Sequence, residues 1–175
     1  LVQELAEKIN DETDFYHHNF NTLDESYERV KYLKQVIENN DGYKIFYVKG
    51  SPIKREADLQ LLFRLTWFAT PSDVNSEVNN GRGPVDYKVS RGNKDKTLIE
   101  FKLASNSQLK RNLANQVEIY EKANDTHNSI KVILYFTDTE LTSVFNILKE
   151  LKIKEGKNLV LIDARPNKPS ASKAG

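Results

Sequence analysis

Pro84-Val85-Asp86-Tyr87-Lys88-Val89-Ser90 and Thr97-Leu98-Ile99-Glu100-Phe101-Lys102-Leu103 are the two stretches on which the fold turns. Each alternates apolar and polar residues with the period of a β-strand. Val85, Tyr87 and Val89 share one face of the first, and Ile99, Phe101 and Leu103 share one face of the second. The polar loop Arg91 to Lys96, with Gly92-Asn93 inside it, predicts a hairpin between them. Pairing that sets Ser90 near Thr97 and Asp86 near Phe101 brings Asp86 between Glu100 and Lys102. Two carboxylates and an amine then converge at one end of a hairpin. Neighbouring carboxylates repel and raise each other's pKa. A hard divalent cation reverses that problem and takes oxygen ligands. The simpler reading is a solvated cross-strand cluster, and Glu-x-Lys alone distinguishes little in a chain that is 29% charged.

The downstream helix separates these readings. Ser107 to Asn124 has helical spacing, with Leu109, Leu113, Gln116, Tyr120 and Ala123 along one stripe. Gln116 is the misfit, a polar amide on the face that meets the sheet, and a buried amide needs partners. A ligand shell supplies them, and Tyr120, one turn on, points the same way. Ser105, Asn106 and Ser107 read as capping residues for this helix. Ile130 to Phe136 is a near-continuous apolar run, expected as a buried central strand. Thr139 to Leu151 reads as an amphipathic helix and Leu159 to Ile162 as a last strand.

Upstream, Asp73 to Val78 reads as a short strand that turns at Asn79-Asn80-Gly81. Lys54 to Phe68 predicts a helix apolar on most sides, with Glu56 and Asp58 in its first turn, where the helix dipole favours acids. Tyr43 to Val48, aromatic and β-branched, predicts a strand. Thr22 and Glu25 have capping-box spacing ahead of the stripe Leu23, Tyr27, Val30, Leu33, Val36 and Ile37. Leu1 to Asn10 has helical spacing, and His17 and His18 read as surface residues. The expected organisation is an N-terminal helical extension over 1–50 packed on the core, a core domain over 51–165, and a loosely ordered tail over 166–175.

Composition narrows the function classes. A chain of 175 residues with 38% apolar content can bury one α/β core. Its formal net charge of +1 provides no global field. A nucleic-acid partner must therefore be met by a local patch. Absence of cysteine excludes disulfides and thiolate metal sites and fits a reducing, cytoplasmic setting. No apolar run is long enough to span a bilayer. A chain that begins at Leu1 and holds no methionine reads as part of a longer protein with an upstream domain.

Gly83-x-x-Asp86, then Glu100-x-Lys102, then Gln116-x-x-x-Tyr120 resembles the PD-(D/E)XK nuclease superfamily, in its RecB-like form. The resemblance covers about Glu56 to Phe136. It implies a restriction-endonuclease-like core of order αβββαβ, with a mixed central sheet flanked by helices. It also implies that Asp86 and Glu100 hold Mg²⁺ or Mn²⁺, that Lys102 assists the attacking water, and that Gln116 and Tyr120 orient the site. A helical acid completes the metal shell, with Glu56 first choice, Asp58 second and Glu77 third. Val85 stands in the place of the usual proline, with Pro84 one residue earlier. The implied activity is hydrolysis of phosphodiester bonds in DNA, as one domain of a bacterial defence or repair protein, with RNA ranked below DNA. Arg82, Lys110 and Arg111 are the expected phosphate contacts. A homodimer is compatible with this reading. The rival is an inactive module of the same fold that binds nucleic acid or protein.

Overall fold

The computed structural model describes residues 21–79, 84–92, 94–114 and 128–166, with the backbone alone at 77–79 and 84. Helix α1, Thr22–Asn39, leads into a 3-10 turn at Gly42–Phe46 and a short ribbon of β1, Tyr47–Val48, and β2, Ser51–Pro52. Helix α2, Glu56–Arg64, continues as a 3-10 turn, Leu65–Trp67. Then come β3, Asp73–Asn79, β4, Pro84–Arg91, and β5, Asp95–Leu103. Residues 109–114 are helical. Strand β6, Asn128–Tyr135, helix α3, Asp138–Glu150, and β7, Leu159–Asp163, complete the order.

The five long strands form one mixed sheet of order β3-β4-β5-β6-β7. The first two pairings are antiparallel and the last two parallel. Alternation sorts the core into two layers. On one face, Val30, Leu33 and Ile37 of α1 and Leu59 and Phe63 of α2 pack on Tyr87, Val89, Ile99, Phe101, Val132 and Ile162. On the other, Leu109, Leu113, Val144 and Leu148 pack on Ile133, Tyr135, Leu159 and Leu161. Helix α1, part of the segment expected to pack on the core as an N-terminal extension, shares one hydrophobic cluster with the sheet. No described helix is long and apolar enough to cross a membrane.

Four local expectations need correction. The β4–β5 ladder pairs Tyr87 with Ile99, Val89 with Thr97 and Arg91 with Asp95. The register is one residue tighter than expected, because the ladder already closes at Arg91 and Asp95 and Gly92 takes a left-handed φ of +67°. Directly opposed residues face the same way. Pairing Asp86 with Phe101 would have turned it to the apolar face, whereas the observed register leaves it on the Glu100 side. Tyr43 to Val48 is mostly a 3-10 turn rather than a strand. Asp41 is left-handed and Gly42 lies so close to α1 that a Cβ there would sit 2.6 Å from the Val36 carbonyl oxygen. The tight turn buries Phe46 and leaves Ile45 exposed. The segment expected as one largely buried helix is buried on one side only, since Leu61 of α2 and Leu65 and Phe68 beyond it are exposed.

The fourth correction concerns the start of α1. Its N-cap is Asn21, whose Oδ1 accepts from the Asp24 amide. Thr22 instead donates from Oγ1 to Asp95 and bonds Thr97 at the start of β5. Glu25, the expected capping partner, accepts from Thr70 Oγ1 at 2.5 Å and Ser72 Oγ at 2.6 Å and pairs with Arg91 at 3.0 Å. These bonds tie α1 to the approach to β3 and the end of β4. Burial opposes ionisation of Glu25, but Ser72, Thr70, Arg91 and Arg29 together hold its carboxyl below the usual value. A depressed folded pKa gives stability that is present above the unfolded value, near 4.5, and lost as pH falls through the folded one. Glu25→Gln should cost about 1–3 kcal/mol at pH 7, as expected for charge-assisted hydrogen bonds. Thermal unfolding of both proteins across pH should show the gap constant above about pH 5 and closing below. A gap that persists unchanged at pH 3 would refute the ionic origin.

Candidate functional site: an acid and lysine cluster at the end of the central strands

The site lies on the sheet face opposite α1 and α2. Strand alternation puts Glu100 and Lys102 there, because Ile99, Phe101 and Leu103 are buried beneath α1 and α2. The same phase on β4 brings Asp86 alongside, because Tyr87 and Val89 face the α1–α2 layer. Asp86 Oδ2 accepts from the Phe101 backbone amide at 2.6 Å, so a side chain completes the strand pairing beyond Tyr87 and Ile99. Glu100 Oε1 lies 3.2 Å from Lys102 Nζ, and Glu100 Oε2 lies 3.1 Å from Lys131 Nζ.

Glu56 enters from the first turn of α2, whose N-terminal end meets the end of β5. Its Oε1 accepts from the Leu103 amide at 3.2 Å and from Asn106 Nδ2 at 2.9 Å, and its Oε2 lies 3.4 Å from Lys102 Nζ. Lys102 thus bridges a strand acid and a helix acid. Asn106 serves twice, because its Oδ1 also accepts from the Gln108 amide at 2.9 Å. It is both the expected helix-start residue and a partner of Glu56.

The charges are unequally served. Three carboxylates (Asp86, Glu100, Glu56) face two ammoniums (Lys102, Lys131). Burial pushes the Asp86 carboxyl up, and Glu100 and Glu56 add to that against the Phe101 amide and Lys102. Asp86 makes no ion pair among the described residues, and its second oxygen accepts no hydrogen bond there. Burial also opposes ionisation of Glu100, but Lys131 and Lys102 outweigh it and hold its carboxyl below the usual range. Burial lowers Lys102, yet Glu100, Glu56 and Asp86 more than compensate and raise it, so it is an ammonium at neutral pH. Burial lowers Lys131, and Glu100 does not fully offset this. The last two directions are compatible, because Lys131 shares the Glu100 carboxylate with Lys102.

The other expected residues divide as follows. Asp58 pairs with Arg55 at 3.0 Å and has no contact with Lys102. The β3–β4 register sets the Glu77 backbone across from Asp86, between the Ser76–Tyr87 and Val78–Val85 pairs. Its side chain, Arg82, Gln116, Tyr120, His17 and His18 lie outside the described residues. Lys110 pairs with Glu150 at 2.5 Å, which ties it to α3. Arg111 is exposed and forms no ion pair among the described residues.

Lys131 was missed from the sequence. It is only 3% exposed and sits opposite Glu100 in the parallel β5–β6 pairing, with its Nζ also donating to the Asn112 carbonyl at 3.0 Å. Its signal was available, because it is the one charged residue in the run Ile130 to Phe136. That is the reasoning that singled out Gln116. Among the described residues, no three His, Asp or Glu side chains are grouped so as to hold a metal ion. The surface grooves lined by Tyr27, Lys31 and Gln35 and by Glu25, Arg29 and Phe68 involve none of these site residues.

Comparison with known proteins adds a family and no activity. No curated protein and no solved structure matches the chain. A family profile described as "Domain of unknown function (DUF8371)" matches residues 22–138, from the first turn of α1 to the first residue of α3. Asp86, Glu100, Lys102, Glu56 and Lys131 all fall inside that span, and β7 falls outside it. The chain belongs to the DUF8371 family, a domain of unknown function.

Proposed function

We propose that this domain is a metal-dependent nuclease of PD-(D/E)XK type, with a restriction-endonuclease-like fold, that hydrolyses phosphodiester bonds in DNA. The observation that carries the reading is the convergence of Asp86, Glu100 and Lys102 on one sheet face, with Glu56 brought to Lys102 from the preceding helix. The element order agrees with that fold: a helix, three strands of a mixed sheet, a helical start at 109–114, and a parallel strand.

The donor set fits Mg²⁺ or Mn²⁺. Mg²⁺ takes hard oxygen ligands and is held by one or two carboxylates, with waters and substrate phosphates filling its shell. Asp86 supplies an anionic oxygen that forms no ion pair among the described residues, and burial, with Glu100 and Glu56 adding to it, holds its carboxyl above the ordinary value against the Phe101 amide and Lys102. Glu100 supplies the second carboxylate once Lys102 or Lys131 yields an oxygen. When bound, such an ion polarises a phosphoryl oxygen and activates water. Lys102, an ammonium held between Glu100 and Glu56, donates hydrogen bonds and cannot act as a base in that state. Its role is to orient water and stabilise the charge that develops on phosphate. Glu56 holds Lys102 in place, while the Leu103 amide and Asn106 hold Glu56.

DNA phosphates are met by side chains beyond this cluster. Lys88 and Lys96 lie, by strand alternation, on the face of β4 and β5 that carries Asp86 and Glu100. Neither forms an ion pair among the described residues. Arg111, exposed at the helical residues 109–114, is a further cation available to phosphate. Incubation with single-stranded, duplex and branched DNA in Mg²⁺ or Mn²⁺ tests the reading. Cleavage of at least one form, abolished by EDTA, is expected; intact DNA of every form under both metals would overturn it.

One observation favours a second reading, a nuclease-fold module without activity. Both oxygens of Glu100 already contact lysines, and Glu56 is occupied by Leu103 and Asn106. The cluster would then be an ion-pair network that locks β5 to β6 and α2. Retained DNA or protein binding in a chain that binds no divalent ion and cuts nothing would carry that reading.

A further inference from the structure

Strand β6 is enclosed, with Ile130 and Val132 to Tyr135 all buried. A buried lysine in such a strand is expensive. Its desolvation costs several kcal/mol, and an apolar residue of similar size is often equal or better for stability. Packing therefore does not explain Lys131. Its two contacts do bear on the site. Nζ donates to the Asn112 carbonyl at 3.0 Å and lies 3.1 Å from Glu100 Oε2. The first contact fixes the ammonium between the sheet and the helical residues 109–114. The second puts one full positive charge on the acid that faces Lys102 and neighbours Asp86.

Resting on the metal-dependent reading above, we infer that Lys131 is a positioning residue that serves as a resident counter-cation. It seats Glu100 by one oxygen and competes electrostatically with a divalent ion for that carboxylate. With all five groups ionised, three acids and two lysines leave the cluster at −1. Removing the charge of Lys131 leaves it at −2. A divalent ion then meets less opposition at Glu100, and the metal-free protein loses a neutralising partner there. A purely structural staple between β6 and residues 109–114 would not alter ion affinity in this direction.

Calorimetric titration of Mn²⁺ into wild type, Lys131→Met, Lys131→Gln and Lys131→Arg tests this, with thermal unfolding as the check that each is folded. Gln keeps a donor for Asn112 and Glu100 while deleting the charge, so it carries the test if Met fails to fold. Both neutral variants should bind Mn²⁺ at least about tenfold more tightly, the scale of one unit charge removed a few ångströms from the ion. Arg should stay near wild type. Mn²⁺ bound by wild type with equal or weaker affinity in the neutral variants would overturn the inference and leave the nuclease reading standing. Binding gained only by the neutral variants would support it. No binding by any of the four proteins would overturn both.

Discussion

Asp86→Asn is expected to abolish Mg²⁺-dependent cleavage of DNA and at the same time to raise the unfolding temperature of the metal-free protein. The two effects have one cause. Burial keeps the Asp86 carboxyl above its ordinary value, with Glu100 and Glu56 adding to it. A carboxyl whose folded pKa is raised holds its proton more tightly folded than unfolded. Stability therefore falls as pH rises from the unfolded value through the folded one. Asparagine removes that cost, and its amide oxygen can still accept from Phe101. For activity the loss should exceed the roughly 100-fold that follows from losing a mere outer partner of a metal ligand. Each kcal/mol gained would read as about 2–4 °C in Tm for a chain of this size. Rate assays and thermal unfolding on the same preparation check both. A variant that is less stable than wild type would show that Asp86 is there for structure.

Phe63→Ala is expected to have the largest effect on stability. Phe63 is fully buried, with ring centroids 4.9 Å from Phe101, 5.3 Å from Tyr87 and 5.7 Å from Trp67. With Leu59 it packs α2 onto β4 and β5, and Tyr87 Oη adds a bond to the Gln60 carbonyl at 2.7 Å. Truncation should cost about 3–5 kcal/mol in transfer and cavity terms. That corresponds to a fall in Tm of about 6–20 °C. Because α2 also carries Glu56, the same change should loosen Lys102, so cleavage per folded molecule should fall as well. Phe63→Leu, which leaves a smaller void, should lose less of both. Urea unfolding at 25 °C gives the energy directly, and a loss below about 1 kcal/mol would mean that the aromatic cluster does not hold α2.

How much of this was legible in the residues depends on the range of the interaction. Alternation within a strand is local, so Asp86, Glu100 and Lys102 could be assigned their faces from β4 and β5 alone. Register was missed by one residue because it is set by the turn, where Gly92 at positive φ closes a shorter loop than the polar run Arg91 to Lys96 suggests. The 3-10 turn at Gly42–Phe46 was missed for a related reason. Tyr43 to Val48 has strand propensity, but the close approach of Gly42 to Val36 decides its path, and that contact is tertiary. The choice between Glu56 and Asp58 was equally hidden. Both begin α2, and only the position of that helix end against Leu103 turns one toward Lys102 and leaves the other to Arg55. Lys131 differs from these. A charged residue inside an apolar strand is visible in the letters, and its partner Glu100 follows from the parallel pairing of β5 and β6.

The most direct measurement is cleavage of end-labelled duplex and branched DNA in Mg²⁺ by wild type and by Lys102→Ala, each with and without EDTA. Lys102 is held by Glu100 and Glu56, away from the main core cluster, so the variant should fold as wild type does. Wild type should cut in Mg²⁺ and stop in EDTA, and Lys102→Ala should be slower by about 10²–10³, the cost of removing one preorganised donor. Cutting by Lys102→Ala at the wild-type rate, or cutting by wild type in EDTA, would contradict the assignment of phosphodiester hydrolysis to this cluster.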